Sequence, residues 1–381
     1  MRVVIAPQGF KGSLTALEVA EAIERGVKRA LPDAETVLAP VADGGDGTLQ
    51  SLVDASGGHI ETASVTDPLG RPVEALWGAM GDGKTAVIEM ARASGLAMLR
   101  PEERDPLRAT TRGTGELFKA ALDAGYRNFI VGIGGSATND GGAGMAQALG
   151  ARFLDAQGNE LPPGGAALAE LDRIDMTGFD ERLKGARVTV ACDVNNPLCG
   201  DDGASAVFGP QKGATPEMVK QLDAALARFA DVVERDLGVD IRERQGAGAA
   251  GGLGAGLMAF MNAELDAGVD IVLDAVGLDR ALEGADLAIV GEGQIDRSTI
   301  FNKSPVGVSQ RARKRRIPSV AIAGGLGEGF RETYEQGIEA AFALTTGPMS
   351  LDDAMAGCAG LLETVSEQVM RTVTLGQRLA R

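Results

Sequence analysis

Short β-branched runs recur along the chain, each followed by a segment with helical periodicity, and this alternation restricts the fold more than any other feature. Runs at 3–6, 36–41, 129–133, 188–192, 287–290, 320–323 and 340–344 read as buried strands. A helix is expected from Thr15, with Glu18 at capping-box spacing and Val19, Ala20, Ile23, Val27, Ala30 and Leu31 on one apolar face. A second starts at Thr215-Pro216, proline at its first position, and turns Met218, Leu222, Ala225, Phe229, Val232 and Leu237 inward. The last is predicted from Ser350, with Asp353, to about residue 373. Strands that alternate with helices in this way specify a parallel sheet.

The ends and the middle differ. Residues 1–60 and 283–381 hold five short strands alternating with helices, the size of a flavodoxin-like doubly wound parallel sheet domain. Residues 61–282 open with "EALWGAMGDGKTAVIEMA", a hairpin pattern, and contain most of the long glycine-rich stretches. The predicted fold is α/β: a discontinuous flavodoxin-like domain with a large inserted second α/β domain, and the active site in the cleft between them.

Charge and composition exclude several function classes. The 37 basic and 53 acidic residues give a net charge of −16, which argues against nucleic acid or an anionic membrane as partner. No run of about 18 apolar residues suggests a membrane span. Residues 2–7 read as a strand that begins at once, so no secretory leader is expected. The three cysteines, Cys192, Cys199 and Cys358, lack metal-site spacing and point to a reducing, cytoplasmic setting; Cys358 lies on a helical apolar face with Leu361, Leu362, Val365 and Val369. His59 is the sole histidine, with no nucleophile motif beside it. Histidine-rich zinc sites are excluded, and acid–base work falls to Asp, Glu or Lys.

Two familiar patterns occur and both fail on context. Residues 78–85, "GAMGDGKT", fit the P-loop spacing, but a strand-like Thr85-Ala86-Val87-Ile88 follows where that motif needs a helix. "GIGGSA" at 132–137 fits a dinucleotide fingerprint, with Asp155 placed as a ribose acid. Yet Asn139-Asp140-Gly141-Gly142 interrupts the helix that should open there. Two plainer readings of "GIGGSATNDGGAGM" stand side by side: a nest of backbone amides for an anion, and a tight turn that allows close packing.

Acidic residues recur just past the strand ends, where open α/β sheets place ligands: Asp43, Asp46, Asp140, Asp193, Glu292 and Asp296. With Lys11, Lys212 and Lys303 in glycine-rich loops, they supply what phosphoryl transfer needs: Mg²⁺ ligands, cations for phosphate and a base for an alcohol. Each alone is equally a cap or turn residue.

Together the stretches "FKGSLTALEVAEAI", "PVADGGDGT", "TRGTGEL", "GIGGSATNDGGAGMAQALG", "ACDVNNPL", "GASAVFGPQKGA", "GAGAAGGLGAG" and "VGEGQID" closely resemble the type I glycerate kinases, in family order and over almost the whole chain. The resemblance implies ATP-dependent phosphorylation of D-glycerate to 2-phosphoglycerate with ATP and Mg²⁺, in a monomer or homodimer. It implies Asp193 as the catalytic base, oriented by Asn195, with Lys11 also catalytic. Ser13, Arg71 and Asp43, together with Lys11, would bind glycerate. Gly134, Gly135, Ser136, Asn139, Lys212 and Lys303 would hold phosphate or nucleotide. Asp140, Glu292 and Asp296 would face the metal, with Asp43 a further candidate there.

The chain departs from the family pattern in three places. It has Gln8-Gly9 where Asp-Ser is usual, Asp46 in place of Glu, and Ser298 to Lys303 without the usual Gln and Gly. Alternatives that remain are a related hydroxy acid or the 3-hydroxyl of glycerate, a sugar-acid or nucleotide sensor without catalysis, and an NAD-dependent oxidoreductase.

Overall fold

The structure is a computed structural model that describes residues 1–42, 48–301 and 303–379, the side chain of Ala55 excepted. It separates into two compact units: Met1–Ser56 with Val269–Arg381, and Gly57–Gly268. In chain order the strands are β1 (Arg2–Pro7) and β2 (Glu35–Leu38), then β3 (His59–Thr66), β4 (Pro72–Ala79), β5 (Thr85–Glu89), β6 (Asn128–Gly132), β7 (Arg152–Leu154), β8 (Arg173–Asp175), β9 (Arg187–Ala191) and β10 (Glu264–Asp266). The last three are β11 (Leu287–Ile295), β12 (Ser319–Leu326) and β13 (Ala340–Ala343).

In the discontinuous unit the sheet runs β13-β12-β11-β1-β2, with every neighbouring pair parallel. Counted within the unit this is 5-4-3-1-2, the flavodoxin order. Val3, Val4, Ile5 and Ala6 of the inner strand β1 are wholly buried, as a strand covered on both faces requires. The helix Ala16–Ala30 starts at Thr15, whose Oγ1 accepts from the Glu18 amide at 3.3 Å while the Glu18 carboxylate accepts from the Thr15 amide at 2.8 Å. Its Val19, Ile23 and Val27 share one core with Leu362, Val365 and Val369 of the helix Cys358–Leu379. A Cβ on Gly26 would stand 2.3 Å from the Glu363 carbonyl oxygen, so only glycine permits this approach.

The single last helix expected from Ser350 is two helices. Ser350 caps as predicted, accepting from the Asp353 amide at 3.1 Å. The first helix, Leu351–Ala356, closes at Gly357, a poor helix former, and Cys358–Leu379 continues beyond residue 373.

The inserted unit carries a six-stranded sheet, β10-β9-β6-β5-β4-β3, and the separate antiparallel pair β7-β8. The β5-β6-β9-β10 part is parallel, but β3-β4-β5 is antiparallel, so the sheet is mixed. The hairpin β4-β5 was legible in the sequence. β3 was not, because only Val65 of its eight residues is buried and its alternation is weak. The predicted helix from Thr215 is Pro216–Leu237, with Leu222, Ala225, Phe229 and Val232 buried and Met218 and Leu237 half-buried. Among the described residues no helix is long and apolar enough to cross a membrane.

Candidate active site

In the discontinuous unit the strand order reverses between β1 and β11. Open α/β sheets bind ligands at this switch point, outside the carboxyl ends of the strands. The chain leaving β1 carries Lys11 and Ser13, which line a cleft of about 650 Å³ with Phe10, Glu18, Gln50 and Asp54. Lys11 is exposed; the Ser13 hydroxyl donates to the Met355 carbonyl at 2.8 Å. The backbone N–H of Gln8, one of the departures from the family pattern, donates to the Gly291 carbonyl at 2.8 Å and so ties the start of this loop to β11.

The chain leaving β11 carries the other half. Glu292 is buried; its Oε1 accepts from the Thr299 hydroxyl at 2.6 Å, and its Oε2 lies 3.6 Å from the Lys303 ammonium. Thr299 Oγ1 also accepts from the Asp296 amide at 3.1 Å, so one threonine joins the two acids. Asp296 caps the turn Arg297–Ile300, accepting from the Ser298 amide and hydroxyl, and these bonds hold its carboxyl below the usual range. The sequence reading missed Thr299, although Asp296-Arg297-Ser298-Thr299 has capping-box-like spacing. Asp43 and Asp46 lie outside the described residues, as does Asn302.

In the inserted unit the glycine-rich loop leaves the end of β6. Gly134 and Gly135 are exposed, with Gly135 at φ +72, whereas Ser136, Thr138, Asn139 and Asp140 are buried. Among the described residues the amides of Gly134, Gly135 and Ser136 have no protein acceptor. The buried half is held from several sides. Asp140 accepts from the Thr111 amide and hydroxyl at 2.8 and 3.0 Å and from the Gly142 and Gly144 amides at 3.2 Å. Burial raises its pKa against the pull of these donors. Asn139 Nδ2 donates to the Ser205 hydroxyl at 2.9 Å. Lys212, only 1% exposed, donates its ammonium to the Thr138 carbonyl at 2.6 Å, and burial lowers its pKa to about 7.

The second glycine-rich stretch explains the first. The helix Ala249–Met261 opens with Ala250, Gly251 and Gly252 at φ of 52, 67 and 88. Gly251 accepts from the Gly141 amide at 3.0 Å. Added Cβ atoms at Gly251 and Gly256 would stand 1.9 Å from the Thr138 carbonyl oxygen and 2.5 Å from the Gly141 carbonyl oxygen. The two runs pack backbone against backbone, which side chains would prevent. The tight-packing reading holds from Thr138 onward, and an exposed glycine turn precedes it.

Asp193 follows β9 and is exposed, with its Oδ1 accepting from the Gly268 amide at 2.9 Å; Asn195 is also exposed. Arg71 sits in the turn before β4, where it pairs with Asp67 at 2.5 Å and Glu103 at 2.8 Å. Its guanidinium thus already has two carboxylate partners. The P-loop pattern is a hairpin turn, with Asp82 accepting from the Lys84 and Thr85 amides and β5 following directly. No helix opens at Gly134, and Asp155 closes a turn through the Gln157 and Asn159 amides, so the dinucleotide pattern also lacks its context.

Among the described residues no three His, Cys, Asp or Glu side chains are grouped to hold a metal ion. Asp140 has four protein donors, and each oxygen of Glu292 already has a partner. Such a donor set suits Mg²⁺ only in its nucleotide-borne form, in which one or two carboxylates complete a shell made mostly of phosphate and water.

Comparison with known proteins gives a consistent result. The model of the glycerate kinase family matches residues 3–374. A glycerate kinase of Bacillus subtilis (strain 168) is 52% identical over 379 residues, covering 100% of this chain and 99% of the relative. A glycerate 2-kinase of Escherichia coli (strain K12) is 50% identical over 380 residues and 100% of both chains. A crystal structure from Salmonella typhimurium LT2 superimposes with a TM-score of 0.92 at 50% identity, covering 99% of each chain.

Proposed function

Because the chain belongs to the glycerate kinase family, we propose that it transfers the terminal phosphoryl group of ATP to the 2-hydroxyl of D-glycerate, giving 2-phosphoglycerate. The structural observation that carries this reading is the Lys303–Glu292 ion pair, joined through Thr299 to Asp296 on the chain leaving β11, with Lys11 on the chain leaving the neighbouring β1 at the switch point.

The roles follow from what each group touches. Lys11 is an exposed cation with no ion pair among the described residues, suited to the glycerate carboxylate, and Ser13, whose proton is already donated, has lone pairs to accept from a substrate hydroxyl. Asp193 is the base for the 2-hydroxyl, with Asn195 beside it in the loop after β9. The amides of the exposed Gly134 and Gly135 and of the buried Ser136, which have no acceptor among the described residues, and the ammonium of Lys303 meet phosphate oxygens. Glu292, with Asp296, would complete the shell of Mg²⁺, which when bound neutralises charge on the β- and γ-phosphates. Asp43 is retained as a substrate-side candidate. The partners already held by Arg71, Asn139 and Asp140 lead us to read these three as braces of the turns they sit in. The proposed reaction belongs in the cytoplasm, where ATP is available.

Incubation of the purified protein with Mg-ATP and D-glycerate tests this. ADP release with a 2-phosphoglycerate signal in phosphorus NMR is the expected result. A 3-phosphoglycerate signal overturns the regiochemistry, and no turnover with glycerate overturns the substrate.

A further inference from the structure

Lys212 has an environment that neither packing nor phosphate contact explains. It ends the short turn Pro210–Lys212, is 1% exposed and reaches back to the Thr138 carbonyl. A buried ammonium is costly, and an apolar side chain of the same length would fill the space without that cost. At 1% exposure it also cannot present its charge to a nucleotide at the surface. Its one hydrogen bond fixes a carbonyl in the stretch that runs from the exposed Gly134 and Gly135 into the buried half of the loop.

At its exposed end that stretch has backbone ties: the Gly135 carbonyl accepts from the Leu96 amide at 2.8 Å, and the Ala137 amide donates to the Ser94 carbonyl at 2.9 Å. Thr138 Oγ1 and Asn139 Oδ1 are buried and have no hydrogen-bond partner among the described residues. The next anchors lie further along: Asn139 Nδ2 on Ser205, Asp140 on Thr111, and the Gly141 amide on Gly251. Among the described residues Lys212 is the side-chain anchor nearest the exposed turn. Burial lowers its pKa to about 7, and the nearby Asp140 carboxylate opposes that shift. Either protonation state keeps an N–H for the Thr138 carbonyl.

We infer that Lys212 is a positioning residue, which by holding the Thr138 carbonyl from beneath keeps the exposed Gly134-Gly135 turn in the one shape that receives the phosphates of ATP, without touching them itself. This rests on the kinase reading for the identity of the ligand, but not for the effect on the loop.

The test compares Lys212→Met, which keeps length and removes the donor, with Lys212→Gln, which keeps an N–H donor and removes the charge. Mg-ATP affinity is read by calorimetry, kcat and the KM for each substrate by ADP release, and loop order by hydrogen exchange of peptides spanning 134–142. For Lys212→Met we expect at least tenfold weaker Mg-ATP binding, an unchanged KM for glycerate, faster exchange confined to the loop, and an unfolding midpoint no lower than wild type. Lys212→Gln should recover Mg-ATP affinity to within about threefold of wild type. Equal loss in both variants with normal loop exchange would mean that the charge itself serves the phosphate, and overturns the inference. Normal ATP affinity and normal exchange in Lys212→Met overturns it as well. A wild-type protein that binds no ATP sinks the kinase reading instead, and loop exchange in the two variants still decides whether Lys212 holds the turn.

Discussion

Replacement of Gly251 by alanine tests the backbone-to-backbone packing of the two glycine-rich runs. Gly251 has φ +67, and a Cβ there would stand 1.9 Å from the Thr138 carbonyl oxygen and 2.6 Å from the Asn139 Cα. Both lie far inside the roughly 3.5 Å of a normal carbon contact. Neither neighbour can yield easily, because Thr138 O is also held by Lys212 and Asn139 by Ser205. The left-handed backbone costs about 1–2 kcal/mol for a residue with a Cβ. Forcing an extra carbon into a filled site costs about 1–3 kcal/mol. Loss of the Gly141 hydrogen bond adds about 1 kcal/mol. Together we expect about 3–6 kcal/mol. Gly125→Ala is the matched control: φ is +98, nothing lies within 4 Å of its Cβ position, and only the first cost, about 1–2 kcal/mol, applies. Urea unfolding followed by tryptophan fluorescence measures both, since Trp77 is the only tryptophan and lies buried on β4 of the inserted unit. Equal losses in the two variants would refute the packing argument.

Asp193→Asn should lower kcat by about a hundredfold or more while leaving the fold intact, because an Asn oxygen can still accept from the Gly268 amide; turnover within a few-fold of wild type would remove Asp193 as the base. Lys212 has a folded pKa lowered from 10.5 to about 7, so between these values the unfolded chain holds a proton that the folded chain does not. Its contribution to stability therefore rises with pH from 7 to 10.5, and the unfolding free energy of wild type minus that of Lys212→Met should climb across this window; a flat difference speaks against the shift. Thr15→Ala should cost about 1 kcal/mol in unfolding followed by circular dichroism, and Thr15→Asn should restore most of it.

What was legible in the sequence was local. The capping box at Thr15 and Glu18, the proline start at Pro216 and the strands flanking Gly132 and Ala191 depend on residues a few positions apart, and each stands where it was expected. The grouping of Lys11 with β11 required the strand order, which is a global property, and came only through the flavodoxin-like pattern. Tertiary partners were not legible. Nothing near Arg71 announces that Glu103 will take one arm of its guanidinium, and nothing near Lys212 announces that its ammonium is buried under Thr138. The glycine runs show the limit most clearly: each reads alone as a flexible or ligand-binding loop, while their close approach belongs to two segments more than a hundred residues apart in the chain.

The order of the five-stranded sheet also sets a timetable. Val3 of the inner strand β1 pairs on one side with Thr36, available almost as soon as it leaves the ribosome, and on the other with Leu287. At about 5–20 residues per second, roughly 13–50 s of synthesis separate the two. Throughout that interval the whole inserted unit, which is continuous in sequence, can complete its own core. The apolar β1, meanwhile, waits with one edge unpaired. A nascent chain stalled before β11 would thus be half finished and adhesive at its N-terminal end, and crowding or chaperone depletion should harm this protein during its making more than after it.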